Sequence, residues 1–164
     1  MSEFEVAVGA DLRSQAYFAL AEAYNLLQLL MDEQLRRDGG VTYVQFVLLA
    51  QLAQAPQGRL RMTDLADTVL HSRSGLTYQA TRLEAAGLLR RERSEEDERS
   101  VTAVITDEGR RRLEQVIPGH QAVVQAGMFD VLSDNQVKEL AEKLDAIRTR
   151  LRSMVPSSAQ RRRG

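Results

Sequence analysis

The sequence contains no cysteine. That excludes disulfide bonds, thiolate metal ligands and thiol-based redox sensing. It has only two histidines, His71 and His120, far apart in the chain. They make a poor metal-sensing set, and no metal or other cofactor is expected. No apolar run approaches the ~20 residues that a membrane span requires. The first thirteen residues lack the basic-then-apolar pattern of a signal peptide. The expectation is therefore a cytoplasmic protein with no membrane partner. Neither sign of charge is in excess: the formal net charge is -1. Any basic footprint for nucleic acid must be local. No nucleophile–base pattern, metal-ligand cluster or glycine-rich phosphate loop is visible, which argues against an enzyme. There is no internal repeat beyond helical periodicity.

What is present fits a soluble globular chain: 164 residues, 43% hydrophobic and 27% charged. This is enough for one domain or one domain plus an arm. Residues 1 to about 10 read as a loose arm. From Asp11 a helical pattern begins, with Ala16, Leu20, Ala23, Leu27 and Leu30 on one stripe widened by Tyr17, Tyr24 and Met31. Asp38-Gly39-Gly40 stops it. Residues 41–54 form the next helix. Thr42 and Gln45 make a capping box, Val41 precedes the cap, and Val44, Val47, Leu48 and Leu52 form the buried face, with Phe46 and Leu49 beside it. Residues 55–58 turn the chain, and Arg59-Leu60-Arg61 reads as a short edge strand.

The stretch from Met62 to Leu88 reads as two short helices and a tight turn. Thr63 is the expected N-cap of the first, which runs to about Leu70. Ser72 is the cap of the second, from about Arg73 to Ala86, and Gly87 stops it. Leu76, Ala80 and Leu83 share one stripe of that second helix. Ser74, Thr77, Tyr78 and Thr81 fall on the other side, flanked by Arg73 and Arg82. Hydroxyls and guanidinium groups on a helix packed from behind suit the major groove of DNA. Taken alone, the stretch equally fits an ordinary helical hairpin with a solvated face.

Beyond Gly87, residues 88–93 and 100–105 are strand-like, the second alternating at Val101, Ala103 and Ile105. The polar segment 94–99 joins them as a hairpin with an acidic tip. Helix-turn-helix followed by hairpin is the order of a winged helix. Thr106 then caps a long helix whose inner face holds Leu113, Val116, Ile117, His120, Val123, Val124 and Met128. Pro118-Gly119 is expected to interrupt and kink it. Ser133 and Gln136 make another capping box. The last helix carries Val137, Leu140, Leu144, Ile147, Leu151 and Met154 in a near-heptad seam.

The fold class expected is mainly α with a small β-hairpin: a winged helix-turn-helix flanked by long N- and C-terminal dimerisation helices. The divisions are 1–40 for the arm and first dimerisation helix, 41–106 for the winged helix-turn-helix, 107–155 for the C-terminal dimerisation helices and 156–164 for a disordered basic tail. The terminal helices carry more apolar surface than the central module can cover. They are expected to pack on each other and on a second subunit, with Leu12, Leu20, Leu140, Leu144, Ile147 and Leu151 at the dimer interface. A monomeric helical bundle is the plainer alternative. From Arg59 to Arg93 there are seven basic residues and four acidic ones, a local excess of +3. That is the direction DNA binding needs. The tip opposes it with Glu95, Glu96, Asp97 and Glu98 against Arg99. Arg99 still suits a narrow minor groove if Asp97 holds it in place.

Three segments resemble the MarR family of bacterial transcription regulators. Val41 to Leu49, VTYVQFVLL, is similar to that family's L-T-x-x-Q-F-x-V-L pattern. Arg82 to Arg91, RLEAAGLLRR, is similar to R-L-E-x-x-G-L-V-x-R. Asp97-Glu98-Arg99 followed by Ile105-Thr106-Asp107-Glu108-Gly109 is similar to D-x-R and then L-T-x-x-G. The resemblance implies a homodimeric winged helix-turn-helix that binds pseudo-palindromic double-stranded DNA, usually to repress, and small anionic or aromatic ligands that release it. By position, Thr77 falls on a common recognition-helix threonine, Arg99 on the wing arginine and Asp97 on its supporting acid. Tyr78 stands where many members have arginine. The resemblance also places an effector pocket between the dimer helices and the winged domain, where Tyr17, Tyr24, Gln28, Tyr43, Phe46 and His120 are its candidates. Each of those reads more readily as core. A protein-binding winged helix without specific DNA affinity is the competing reading.

Overall fold

A computed structural model describes residues 11–69, 73–93 and 101–155. The N-terminal arm, His71, the Ser72 cap, the hairpin tip with Asp97 and Arg99, and the basic tail lie outside the described residues. The elements in chain order are α1 (Leu12–Gly39), α2 (Tyr43–Gln54), a 3₁₀ turn (Pro56–Gly58), β1 (Arg59–Arg61), α3 (Met62–Val69), α4 (Arg73–Ala85), β2 (Leu89–Arg93), β3 (Val101–Ile105), α5 (Asp107–Val124) and α6 (Asp134–Met154). The strands form an antiparallel sheet in the order β1-β3-β2. The hairpin is thus widened by β1, which pairs Arg59 with Val104 and Arg61 with Thr102.

Local chemistry accounts for most element ends. Thr42 and Gln45 form the expected reciprocal box at the start of α2. Thr106 Oγ1 accepts from Gly109 N at 3.0 Å to start α5, and Ser133 with Gln136 starts α6. At the end of α4, Gly87 adopts φ 72°. Leu88 N bonds to Leu83 O and Gly87 N to Glu84 O. This is the six-to-one and five-to-two bond pair of a Schellman stop, with Leu83 and Leu88 both buried across it.

The core lies where α2, α3, α4 and the sheet meet. Leu48, Leu49, Leu52, Leu65, Ala80, Leu83, Leu88 and Ala103 are sealed from solvent there. Leu35 of α1 and Leu113 and Val116 of α5 extend the same cluster. Alpha1 packs chiefly on α5. Buried Gln34 ties the two, donating from Nε2 to Val116 O at 3.2 Å and to Asp38 Oδ2 at 2.8 Å.

Five local expectations are corrected. Helix α3 starts at Met62, so Thr63 lies inside its first turn and does not cap it; β1 feeds directly into the helix. The most buried residues of α2 are Phe46, Leu48, Leu49 and Leu52, where it packs among α5, α4 and β3, while Val44 and Val47 are only half-buried. In β3 burial runs through Ala103, Val104 and Ile105 without alternating. Strands β1 and β2 flank it on both edges, and α2 and α3 pack on it. Pro118 sits inside an unbroken α5, and Ile117 is exposed. Glu114 and Pro118 are both exposed, so water can reach the Glu114 carbonyl that proline leaves without its helical donor. The irregularity comes later, in a π turn over Gln125–Phe129 closed by Asp130 N to Gln125 O. Finally, α1 and α6 do not pack extensively on each other. No residue of α6 is buried, and it reaches the winged module through Arg152 Nη1, 3.4 Å from Asp67 O.

Candidate nucleic-acid interface

Helix α4 is held from behind by Leu76, Ala80 and Leu83, each 2% exposed or less. The four-residue rise then sets Thr77 above Thr81, and Tyr78 above Arg82, in two outward columns. All four side chains are exposed, and Tyr78 is 61% open. The Tyr78 phenol therefore makes no part of the core. Arg73 and Ser74 open the same helix, but their side chains lie outside the described residues.

The hairpin root is regular. Leu89 pairs with Ile105 and Arg93 with Val101, which delivers the chain to the tip at residue 94. Glu84 of α4 grips Arg91 of β2: its Oε2 accepts from Nε at 2.8 Å and Nη2 at 2.6 Å, and its Oε1 accepts the Arg91 backbone N–H at 2.8 Å. The hydrogen bond from the Arg91 guanidinium, with its charge, holds the Glu84 carboxyl below the usual glutamate range. Glu92 accepts from both Arg59 and Arg90 across the sheet surface. Such exposed pairs contribute under ~1 kcal/mol, yet they matter for the footprint. They occupy Arg59 and Arg90, as Glu84 occupies Arg91. Among the described residues of this stretch, Arg61, Arg82 and Arg93 form no ion pair. The basic excess is therefore concentrated on the α4 flank, the hairpin root and the strand leading into α3.

The candidates for ligand binding scatter. Tyr17 stacks edge-on with Phe18, and both stay exposed. Tyr24 is also exposed, close enough to half-buried Tyr43 that burial, with Tyr24 nearby, raises the Tyr43 phenol. Phe46 and His120 stack with centroids 4.5 Å apart, in the seam between α2 and α5. Burial lowers the His120 imidazole below its ordinary value, and its Nδ1 has no partner among the described residues. Gln28 alone of the six lines a cleft of about 520 Å³ between α1, the start of α2 and α4. Its other walls are Asn25, Leu29, Asp32, Arg36, Thr42, Val44 and Gln79. Asp32 spans that cleft's edge, accepting Tyr43 N at 2.7 Å and Arg36 Nε at 2.6 Å. Burial pushes its carboxyl up, but these two partners outweigh it and the net shift is down. Sequence reasoning missed Arg36 and Gln79. The i, i+4 Asp32–Arg36 pair was a readable signal; Gln79 carried none.

The MarR family model matches residues 39–100. The transcriptional repressor MdtR of Bacillus subtilis is 28% identical over 131 residues, 80% of this chain and 82% of that protein. Sco3205 of Streptomyces coelicolor, a MarR family transcriptional regulator solved in complex with DNA, is 38% identical. It superposes with a TM-score of 0.78 over 84% of this chain and 86% of its own. The chain belongs to the MarR family. A second MarR regulator of S. coelicolor, AbsC, is 33% identical with a TM-score of 0.79, over 87% of this chain and 97% of its own. The winged helix-turn-helix described above is thus that of a MarR transcription regulator, and the described parts of the three sequence segments that resembled the family fall on α2, on the α4–β2 joint and on the end of β3 with the start of α5.

Proposed function

We propose that this MarR regulator is a cytoplasmic repressor that binds a pseudo-palindromic operator as a homodimer. The outward columns Thr77–Thr81 and Tyr78–Arg82 on a helix anchored from behind carry this reading. Thr77, Thr81, Arg73 and Ser74 supply short donors and acceptors for base edges and phosphates. Tyr78 supplies a ring for thymine methyls and a hydroxyl for a base or phosphate. Arg82 contacts backbone. Arg99, held by Asp97, enters the minor groove beside it.

Selection from random-sequence duplexes should return an inverted repeat. Affinity for it should fall by ~10³-fold or more between 50 and 200 mM salt if each dimer neutralises about six phosphates or more. Arg99→Ala should weaken binding by ~10–100-fold without lowering the melting temperature. No enriched site, or a flat response to salt, would leave the protein-binding reading instead.

The α1–α2–α4 cleft is the proposed seat of a small anionic or aromatic effector. Arg36 keeps donors beyond the Nε that Asp32 takes; Asn25, Gln28 and Gln79 add amides, and Leu29 and Val44 add apolar wall. Gln79 lies on α4 next to Tyr78, so an occupant would press directly on the reading helix. Substituted benzoates titrated to millimolar concentrations should dissociate the operator complex of the wild type and spare that of Arg36→Ala. Equal response of the two proteins would place the effector elsewhere.

A further inference from the structure

The two DNA-facing parts of the protein, α4 and the wing, are joined by only three residues, Ala86 to Leu88. The joint is loosely packed at its apex: a side chain built on Gly87 would meet nothing within 4 Å. On one side the joint is tied to α5, where Thr106 Oγ1 donates to Gly87 O at 2.7 Å and Thr106 N to Leu88 O at 3.2 Å. On the other side it is spanned by the Glu84–Arg91 pair alone among the ion pairs of the described residues.

That pair differs in kind from its neighbours. Arg90–Glu92 lies within β2, and Arg59–Glu92 joins β1 to β2, which the strand β3 between them already holds by backbone hydrogen bonds. Glu84–Arg91 links a helix to a strand. Beta2 is an edge of the sheet, bonded to β3 only. The Arg91 N–H is satisfied by Glu84 Oε1, while the guanidinium takes Oε2 through two donors. Three bonds to one carboxylate fix both the position and the rotation of the strand relative to the helix.

We propose that Glu84 and Arg91 are positioning residues that set the wing at the angle to α4 at which Thr77 and Tyr78 reach the major groove while Arg99 reaches the minor groove. Neither touches DNA in this account. They act through β2, which carries the chain about 13 Å from Leu89 to Arg93 at ~3.3 Å per residue, toward the segment that holds Arg99. The proposal rests on the DNA-binding reading above.

A double-mutant cycle of Glu84→Gln and Arg99→Ala tests it. In the wild-type background Arg99→Ala should weaken operator binding by ~10–100-fold; in the Glu84→Gln background the same change should cost less than about threefold, because a misdirected wing has little contact left to lose. The slope of log affinity against log salt should fall in Glu84→Gln by about as much as in Arg99→Ala. A pair that served folding alone would lower the melting temperature and leave the Arg99 penalty and the salt slope unchanged. Arg91→Lys keeps the charge but not the paired donors, and should give an intermediate Arg99 penalty; it also serves if Glu84→Gln fails to fold. An Arg99→Ala penalty of equal size in all backgrounds would overturn the proposal, as would no penalty in the wild type. If the wild type itself selects no DNA, it is the DNA-binding reading that fails.

Discussion

Replacing Leu20 and Ile147 together by glutamate is expected to leave the protein monomeric and to weaken operator binding by ~100-fold or more. The expectation starts from surface that a single chain leaves uncovered. Leu20 is 48% exposed, and Leu26, Leu29 and Leu30 follow it down α1, each more than half exposed. On α6, Ile147 is 46% and Leu151 55% exposed, with Met154 beyond them. Leu140 and Leu144 are half-buried, and Leu12 stands almost free at the start of α1. Scattered leucines on a surface need no explanation, but a stripe along two helices exceeds what a soluble monomer usually exposes. A second copy of the same two helices offers a complementary apolar face. Glutamates buried in that face would each need desolvation without a partner, which the interface cannot offset. The loss then reaches DNA because one α4 reads only a few base pairs, and joining two readers raises affinity by ~10²–10⁴ through effective concentration alone. Light scattering gives the mass, against 18.4 kDa for one chain, and a gel shift on the selected repeat gives the affinity. A variant that keeps twice the chain mass and the wild-type affinity would show that these helices are not the interface.

The same stripe marks how far sequence reasoning went. Periodicity showed that α1 and α6 each have a face to bury, but not what covers it. Alpha1 spends its C-terminal end on α5, through Met31, Gln34, Leu35 and Gly39, and leaves the rest open. In α4 the buried Leu76, Ala80 and Leu83 and the exposed Thr77, Tyr78, Thr81 and Arg82 were readable, because both sets sit on one helix with one period. Pro118 misled because proline's cost depends on whether water can reach the orphaned carbonyl, and Glu114 is exposed. The strand β3 misled because alternation presumes one wet face. The ligand candidates were chosen by residue type. Aromatics such as Phe46 and His120 were drawn into the α2–α5 seam, while the described cleft is lined mainly by amides and one ion pair, and is completed only when Gln79 of α4 comes against α1 and the start of α2. Glu84 and Arg91 were legible as parts of a motif, but their joint geometry was not, since helix and strand must both be in place before seven residues of separation become contact.

Gly109→Ala should destabilise the protein by ~3 kcal/mol or more, among the larger effects a single methyl can have. Gly109 is helical, so the argument is space and not backbone freedom. A Cβ there would fall well inside the contact distance of the Leu88 carbonyl oxygen, and 2.8 Å from Ile105 Cγ1. The carbonyl is backbone and cannot swing aside. It also accepts the Thr106 N–H, while Thr106 Oγ1 both accepts from Gly109 N and donates to Gly87 O. The first turn of α5 is thus buttoned onto the α4–β2 joint, and a methyl at Gly109 must lever the two apart, breaking bonds on both sides of Gly87. Gly127 is the internal control. A Cβ there meets only Leu27 Cδ1 at 3.3 Å, the far end of a flexible side chain. Gly127→Ala should therefore stay within ~1 kcal/mol of the wild type, with the lost chain entropy of glycine favouring the variant. Thermal melts at one fixed protein concentration separate the cases, since ~3 kcal/mol corresponds to roughly 10 °C in a chain of this size. A Gly109→Ala protein melting as Gly127→Ala does would mean that α5 can retreat from Leu88 at little cost. The wing root would then be held by Glu84 and Arg91 with no help from α5.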